Sequence, residues 1–401
     1  MFDELSKTPA GELAARITRL QKELAAKNLD GALILQNSDL FYFSGTIQQA
    51  NLYVPAKGDP LLAARKSFRR ARAESSLENV VPLASPKKLP EIIQENGLPL
   101  PERIGLELDV LPVNLFRQYG QIFPDAEFAD VSTIIRMIRA VKSDHEIGII
   151  RQAAARADQV AAHAGKVMKP GMTELEAAGL VEARARKLGH QGIIRMRLWG
   201  SELFYGHLLA GPSGAVPSYL ASPTGGQAAN PAVAQGAGFA EIRPDQPVVL
   251  DYVFAYRGYL ADHTRIFCAG RLPDELEKAH EAVLKIQARL KREIRSGAVT
   301  GEIYDLAVRL AAEAGLEDNF MGVGPRRIRF VGHGVGLELD EFPFLAKGQK
   351  LVLEENMVIA LEPKLIFPGI GVVGIENTHL VTKDGLEQLT SFEERIVCLD
   401  G

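Results

Sequence analysis

The first run of apolar positions has the three-to-four-residue spacing of an amphipathic helix and comprises Leu13, Ala14, Ile17, Leu20 and Leu24. A turn-forming stretch at 28–31 ends this helix, and the apolar residues 32–35 predict a short strand. Further apolar runs alternate with charged helical stretches, a pattern typical of crossover units on a mixed sheet. No glycine-rich phosphate-binding fingerprint follows these strands, so a nucleotide-binding fold is disfavoured.

A second helical pattern begins just after residue 140. Ser143 or Asp144 is suited to cap this helix, and Glu146 lies in its first turn. We therefore predict an α/β (α+β) chain of two domains, at 1–140 and 144–401.

Two apolar stretches, 248–255 and 259–267, flank a tight turn and predict a β-hairpin. A turn centred just before Arg257 would set Asp251 opposite Asp262, with both carboxylates on one face of the hairpin.

A second hairpin repeats this arrangement with glutamates. Its strands are 357–362 and 372–376, and a turn centred on Gly369 sets Glu362 opposite Glu376. Four carboxylates on apolar strands repel one another and are costly to bury without a positive partner. No lysine or arginine lies at an obvious matching position, so the sequence predicts a divalent metal ion.

His333 is a fifth candidate ligand. It lies in the glycine-rich run 330–336, where neighbouring backbone can approach closely. An isolated histidine in an apolar run is more often a packed core residue, but four carboxylates that need a cation favour a ligand. Carboxylate and imidazole donors suit Mn²⁺, Fe²⁺, Co²⁺ or Zn²⁺, and the four negative charges favour two ions.

One segment, residues 203–240, contains no Asp, Glu, Lys or Arg and is rich in glycine, proline, alanine and serine. Two interpretations stay open: a flexible surface loop, or a loop that lines a pocket, since long loops in compact domains are often functional. We expect the part at 211–238 to border the mouth of the active site.

Composition narrows the class of protein. The chain has 401 residues, of which 46% are hydrophobic and 24% charged, which excludes a disordered, collagenous or membrane-spanning chain. The net charge of −4 provides no basic field, so neither nucleic acid nor a membrane is an expected partner. The cysteine content, limited to Cys268 and Cys398, and an acidic start without a signal-peptide pattern favour the cytoplasm.

The candidate ligands lie in motifs that resemble the pita-bread metallopeptidases, the family of prolidase, aminopeptidase P and methionine aminopeptidase. The matching stretches are 250–265, 332–337, 361–363 and 371–378, and segment 37–45 is similar to the creatinase/prolidase N-terminal domain. The resemblance covers nearly the whole chain. It implies a small creatinase-like N-terminal α/β domain followed by a pita-bread catalytic domain, in a chain that is commonly a homodimer.

The resemblance also implies residue roles. Asp262 and Glu376 would bridge two divalent ions, with Mn²⁺ preferred over Co²⁺, Zn²⁺ or Fe²⁺. Asp251 would complete one ion, and His333 and Glu362 the other, while Glu362 would also take the proton from the attacking water. The implied reaction is hydrolysis of an Xaa-Pro peptide bond by metal-bound hydroxide, in a dipeptidase or an aminopeptidase that acts on small peptides.

Three positions depart from that family. Ser218 and Asp340 stand where the peptidases carry histidines near the substrate, and Gly374 replaces an arginine. Neither a serine hydroxyl nor an ionised carboxylate replaces an imidazolium as a donor. His207 is either a substitute for the missing imidazole or a packed residue, so Ser218, Asp340 and His207 are the candidate substrate-binding residues. The alternatives are a metal-dependent hydrolase or lyase of a small, cationic non-peptide molecule, or a metal-bound homologue without activity.

Overall fold

The computed structural model describes residues 7–399, and these divide into two compact units after Arg139. The strands of the N-terminal unit are β1 (Gly31–Ile34), β2 (Ala50–Pro55), β3 (Leu61–Ala64), β4 (Val80–Pro82), β5 (Arg103–Leu106) and β6 (Glu127–Asp130). Its helices are α1 (Ala10–Ala26), α2 (Asn37–Ser44), α3 (Phe68–Glu74), α4 (Leu89–Glu95), α5 (Val113–Ile122) and α6 (Ser132–Ala140).

The strands of this unit form one mixed sheet in the order β4-β3-β2-β1-β5-β6, as the alternation of apolar runs predicted. Helix α1 buries the predicted stripe except for Ala14, which is exposed. Leu13, Leu20 and Leu24 are at most 1% exposed. The strand predicted after it is β1, shifted by one residue toward the N-terminus.

The helices of the C-terminal unit are α7 (Asp144–Val167), α8 (Glu174–Lys187), α9 (Asp274–Glu293) and α10 (Thr300–Glu313). Its strands are β7 (Gly206–Ala210), β8 (Val248–Tyr256), β9 (Tyr259–Cys268), β10 (Phe330–Gly334), β11 (Glu341–Ala346), β12 (Val358–Leu361), β13 (Lys364–Phe367), β14 (Gly371–Gly374), β15 (Asn377–Val381), β16 (Leu386–Gln388) and β17 (Val397–Cys398).

Three sheets form this unit, with the orders β17-β9-β8-β7, β11-β10-β12-β15-β16 and β13-β14. Helix α7 begins with the predicted cap: the Ser143 hydroxyl accepts a hydrogen bond from the Glu146 amide, and the Glu146 carboxylate accepts one from the Ser143 amide. Apolar residues of α7 and α8 pack on β7, β8 and β9 and form the core beneath the candidate ligands. None of the helices within residues 7–399 is both long and apolar enough to cross a membrane.

Candidate metal centre

The two aspartates lie on the central strands β8 and β9. Asp251 pairs with Thr264 and not, as the sequence predicted, with Asp262. The reason is the turn, in which Arg257 and Gly258 occupy the two central positions with φ angles of 50° and 91°, as a two-residue hairpin turn requires. The turn is centred one residue later than predicted, which shifts the pairing by two positions and leaves both carboxylates on the same face.

The two glutamates lie opposite each other, as predicted. Leu361 pairs with Asn377 between β12 and β15, and Lys364 pairs with Gly374 between β13 and β14. Both pairings are centred on Gly369, and the same centre sets Glu362 opposite Glu376. A bridge between Thr264 and Glu376 joins this hairpin to β9, so that all four carboxylates converge.

His333 lies on β10, between β11 and β12, with its Nε2 atom facing three of the carboxylates. This Nε2 is 3.8 Å from Asp262 Oδ2, 3.6 Å from Glu362 Oε1 and 3.8 Å from Glu376 Oε1. The other ring nitrogen, Nδ1, is 3.0 Å from the carbonyl oxygen of Leu339, to which it can donate only as N–H. Nε2 is then the nitrogen that carries a free electron pair, as a metal ligand requires.

A buried lysine occupies the centre of the carboxylate cluster. Lys364 Nζ donates hydrogen bonds to Glu362 Oε2 at 2.7 Å and to Asp251 Oδ2 and Glu376 Oε2 at 3.0 Å. The prediction that no lysine or arginine would match the four acids was therefore wrong. Lys364 follows Glu362 by two residues, and side chains at this spacing on an extended strand point to the same face, which is the signal that could have identified it.

Gly374, the position where the peptidases often carry an arginine, lies directly opposite Lys364. A Cβ atom at this glycine would lie 2.6 Å from Lys364 Cγ and 3.0 Å from its Cα. The glycine therefore provides the space through which the lysine stem reaches the acids.

Burial and charge shift the pKa values of the cluster in opposite directions. Burial raises the pKa of Asp262 well above its usual range, and the neighbouring carboxylates add to this. Burial likewise raises the pKa of Glu376, to about 7, against the opposing effect of Lys364. Burial also opposes ionisation of Asp251, but Lys364, His207 and the hydrogen bonds of this carboxylate together lower its pKa. Burial opposes protonation of His333, but Asp340 and the glutamates raise its pKa overall.

The donor atoms on the imidazole side fit a divalent ion. Asp262, His333 and Glu376 each offer a ligand atom within 4.8 Å of the others, in a mixture of oxygen and nitrogen that suits Mn²⁺ or Zn²⁺. Asp262 Oδ1 and Glu376 Oε1 are buried without a hydrogen-bond partner among the described residues. Buried carboxylate oxygens are costly to leave unpaired, and a metal ion would satisfy both.

The uncharged segment forms part of the wall above this cluster, which confirms the pocket-lining interpretation. Leu220, Ala221, Ser222 and Gln235 line the same cavity as all five predicted ligands. The segment is anchored by the buried Glu174, whose two carboxylate oxygens accept hydrogen bonds from the backbone amides of residues 210 and 238. No motif in the sequence marks Glu174 for this role.

Of the three predicted substrate-binding residues, two line the cavity. His207 stands opposite Asp251 on β7, and its Nε2 is 2.8 Å from Gln235 Oε1. Asp340 also lines the cavity, with Oδ1 3.9 Å from His333 Nδ1. Ser218 is not among the lining residues, because its hydroxyl turns back to accept a hydrogen bond from the amide of residue 220.

The fold and the cluster of carboxylates around an imidazole define a metallopeptidase-like hydrolase. The chain belongs to metallopeptidase family M24, whose model matches residues 148–383. The model of the creatinase/prolidase N-terminal domain matches residues 16–141. These matches confirm the predicted family and the two-domain fold class. The metal dependence of this family agrees with the prediction of a metal site made of carboxylates and an imidazole.

Relatives extend over nearly the whole chain. The Xaa-Pro dipeptidase of Pyrococcus furiosus is 28% identical over 95% of this chain and 99% of its own length. The structure of an Xaa-Pro dipeptidase from Bacillus anthracis superposes with a TM-score of 0.82 at 25% identity, covering 96% of this chain and 100% of the other. An X-Pro aminopeptidase from Thermotoga maritima, 24% identical, shares the fold with a TM-score of 0.79 over 92% of this chain and 98% of its own.

Proposed function

We propose that this chain hydrolyses the Xaa-Pro bond of short peptides, as a dipeptidase or an aminopeptidase, with Mn²⁺ as its metal. The observation that carries the proposal is the convergence of Asp262, His333, Glu362 and Glu376 on one cavity. Its support is that relatives named Xaa-Pro dipeptidase match this chain over nearly their whole length.

The residues of the cluster divide the work of hydrolysis. Asp262, His333 and Glu376 would hold the ion, which when bound polarises the scissile carbonyl and acidifies a water molecule. Glu362 Oε2 accepts the hydrogen bond from Lys364, which holds this carboxylate in place. Its other oxygen, Oε1, lies on the imidazole side, 3.6 Å from His333 Nε2. We assign to Oε1 the transfer of a proton from the attacking water to the departing nitrogen.

The apolar part of the cavity wall suits a proline ring. It includes Leu198, Leu203, Leu220, Phe330 and Leu339. Apolar walls with a few positioned polar groups are typical of small-molecule sites, because the walls supply affinity and the polar groups set orientation.

Asp340 supports a second candidate, the hydrolysis or lysis of a small cationic non-peptide substrate. Its carboxylate lies in the cavity wall, where the nearby cluster is already rich in negative charge. A cationic group is therefore attracted to this side of the cavity. The free amino group of a dipeptide meets the same requirement, so Asp340 fits both candidates.

The test is an assay of the Mn²⁺-loaded protein on Xaa-Pro dipeptides, Xaa-Pro-Xaa tripeptides and a panel of small quaternary ammonium compounds. We expect proline release from the dipeptides or release of the first residue from the tripeptides. Glu362→Gln is expected to lower kcat by about 10²–10⁴-fold, because it removes the proton-transfer group. Turnover of a cationic compound without any peptide cleavage would favour the second candidate, and no turnover at all would favour a homologue without activity.

We also propose a homodimeric, cytoplasmic protein that binds neither nucleic acid nor membranes. These properties rest on the sequence analysis alone. Light scattering after size-exclusion chromatography measures the oligomeric state.

A further inference from the structure

We infer that the ammonium group of Lys364 permanently occupies one of the two cation positions of this site, so that the protein binds one divalent ion per chain and not two. The inference builds on the metal site of the proposed function but not on its substrate.

The contacts of Lys364 Nζ match those of a cation at the centre of three ligands. It lies 2.7–3.0 Å from one oxygen each of Asp251, Glu362 and Glu376. An ammonium group has three N–H donors, and all three are used. An ion bound to the same three oxygens would need distances of about 2.0–2.2 Å, so it would have to occupy the position of Nζ itself. The two cations exclude each other.

Lys364 is held at this position by its surroundings. Its side chain is 1% exposed, and its stem lies over the space left by Gly374. Its ammonium carries a buried charge, which is costly without partners and is compensated here by three carboxylates. A rotation of the side chain away from the cluster would leave that charge buried and unpaired.

The two glutamates divide their oxygens between the lysine and the imidazole. Glu362 and Glu376 each direct Oε2 to Lys364 Nζ, and each directs Oε1 toward His333 Nε2, at 3.6 and 3.8 Å. Glu376 Oε1, with Asp262, remains available to a single ion beside His333. Glu362 Oε1 keeps the proton-transfer role proposed above. Asp251 Oδ2 accepts a hydrogen bond from Lys364, and Asp251 is not part of the group of ligand atoms around His333. The role as a metal ligand that the sequence predicted for Asp251 therefore does not hold under this assignment.

The charge balance agrees with this arrangement. Four carboxylates and one ammonium leave three negative charges, which one divalent ion reduces to one. A second divalent ion in addition to the ammonium would reverse the sign of the cluster and place like charges at hydrogen-bond distance, which costs energy in a buried site.

The test is the number of Mn²⁺ ions bound per chain, measured by elemental analysis and by calorimetric titration of the metal-free protein. We expect one ion for the wild type and two for Lys364→Met, which keeps an apolar stem of similar length and removes the ammonium. Lys142→Met is the matched control, because Lys142 is also a buried lysine, paired with Glu341 at 3.2 Å but outside the cluster. It should bind one ion.

Two ions in the wild type, or one in Lys364→Met, would overturn the inference. Should Lys364→Met not fold, Asp251→Asn decides the matter, because it removes a partner of the ammonium and not a metal ligand. The ion count of this variant is expected to stay at one, and its electron paramagnetic resonance spectrum should be that of an isolated Mn²⁺ ion. A lower count than in the wild type would refute the assignment. An inactive protein that binds one ion contradicts the proposed function but not this inference.

Discussion

The close approach of Gly374 and Lys364 predicts that a single added methyl group destabilises the C-terminal unit. In Gly374→Ala the new Cβ would lie 2.6 Å from Lys364 Cγ and 3.0 Å from its Cα. The Cγ atom belongs to a side chain with three hydrogen bonds to carboxylates, and the Cα atom belongs to the paired backbone, so neither can move freely. Overpacking of this kind costs about 1–3 kcal/mol in the free energy of unfolding.

The assay is thermal and chemical unfolding of the metal-free protein, followed by circular dichroism. A loss of about 1–3 kcal/mol corresponds to a decrease in Tm of about 2–12 °C for a unit of this size. Gly179→Ala is the control, because Gly179 lies in α8 and a Cβ there would meet no atom within 4 Å. Alanine at that helical position should be neutral or stabilising by up to about 1 kcal/mol.

A double-mutant cycle separates the steric effect from a general effect of the glycine. When Lys364 is already alanine, the stem that the new methyl group would strike is absent, and the cost of Gly374→Ala should fall by about 0.5–3 kcal/mol. Equal stability of Gly374→Ala and the wild type, or a cost unchanged in the Lys364→Ala background, would refute the reasoning.

Three further predictions follow from the site and its support. Mn²⁺ at one hundred times Kd should stabilise the wild type by about 2.7 kcal/mol and so raise its Tm. His333→Ala should abolish this rise, since it removes the nitrogen ligand, and an unchanged rise in a thermal-shift assay would contradict this. Asp340→Asn should raise KM about tenfold for dipeptides with a free amino group and leave KM unchanged for N-acetylated ones, because only the former carry a cation. Equal changes in KM for both kinds of dipeptide would argue against Asp340 as the partner of the amino group. Burial lowers the pKa of His190 to about 4, and its ring accepts from the Gly192 amide and lies 3.1 Å from the Val253 carbonyl oxygen. The unfolded chain therefore binds the proton first, so the free energy of unfolding should decrease by about 3 kcal/mol as the pH falls from about 6.5 to 4, and less in His190→Gln.

The spacing of apolar residues and turns was sufficient to predict most of the local structure. The stripe that starts at Leu13, the cap at Ser143 and the turn at Gly369 each depend on a few consecutive residues, and the structure has all three. The turn of the first hairpin was predicted one residue too early, because its position depends on which residue adopts a positive φ. An arginine at position 257 does so here, which composition does not indicate.

The candidate ligands could be predicted from the sequence, but Lys364 could not, and the two outcomes have different causes. Pairs of acids in apolar strands are conspicuous because their burial is costly, and this cost pointed to a cation. Lys364 lies in a strand with apolar neighbours and has no acid beside it in the sequence except Glu362. Its three partners come together only when β8, β13 and β14 are assembled. The position of Ser218 was equally hidden, because its hydroxyl accepts a hydrogen bond from the amide of residue 220 and so turns away from the cavity.

A tethered ammonium changes how the remaining metal site is prepared. In a cluster neutralised only by free ions, loss of the metal leaves four carboxylates that repel one another. Here Lys364 stays in place and keeps the Oε2 atoms of Glu362 and Glu376 engaged, so their Oε1 atoms face His333 before any ion binds. Ligands held in place before binding lose less conformational entropy when the ion arrives. The glycine at position 374 makes this arrangement possible, which gives a structural reason for the departure at that position.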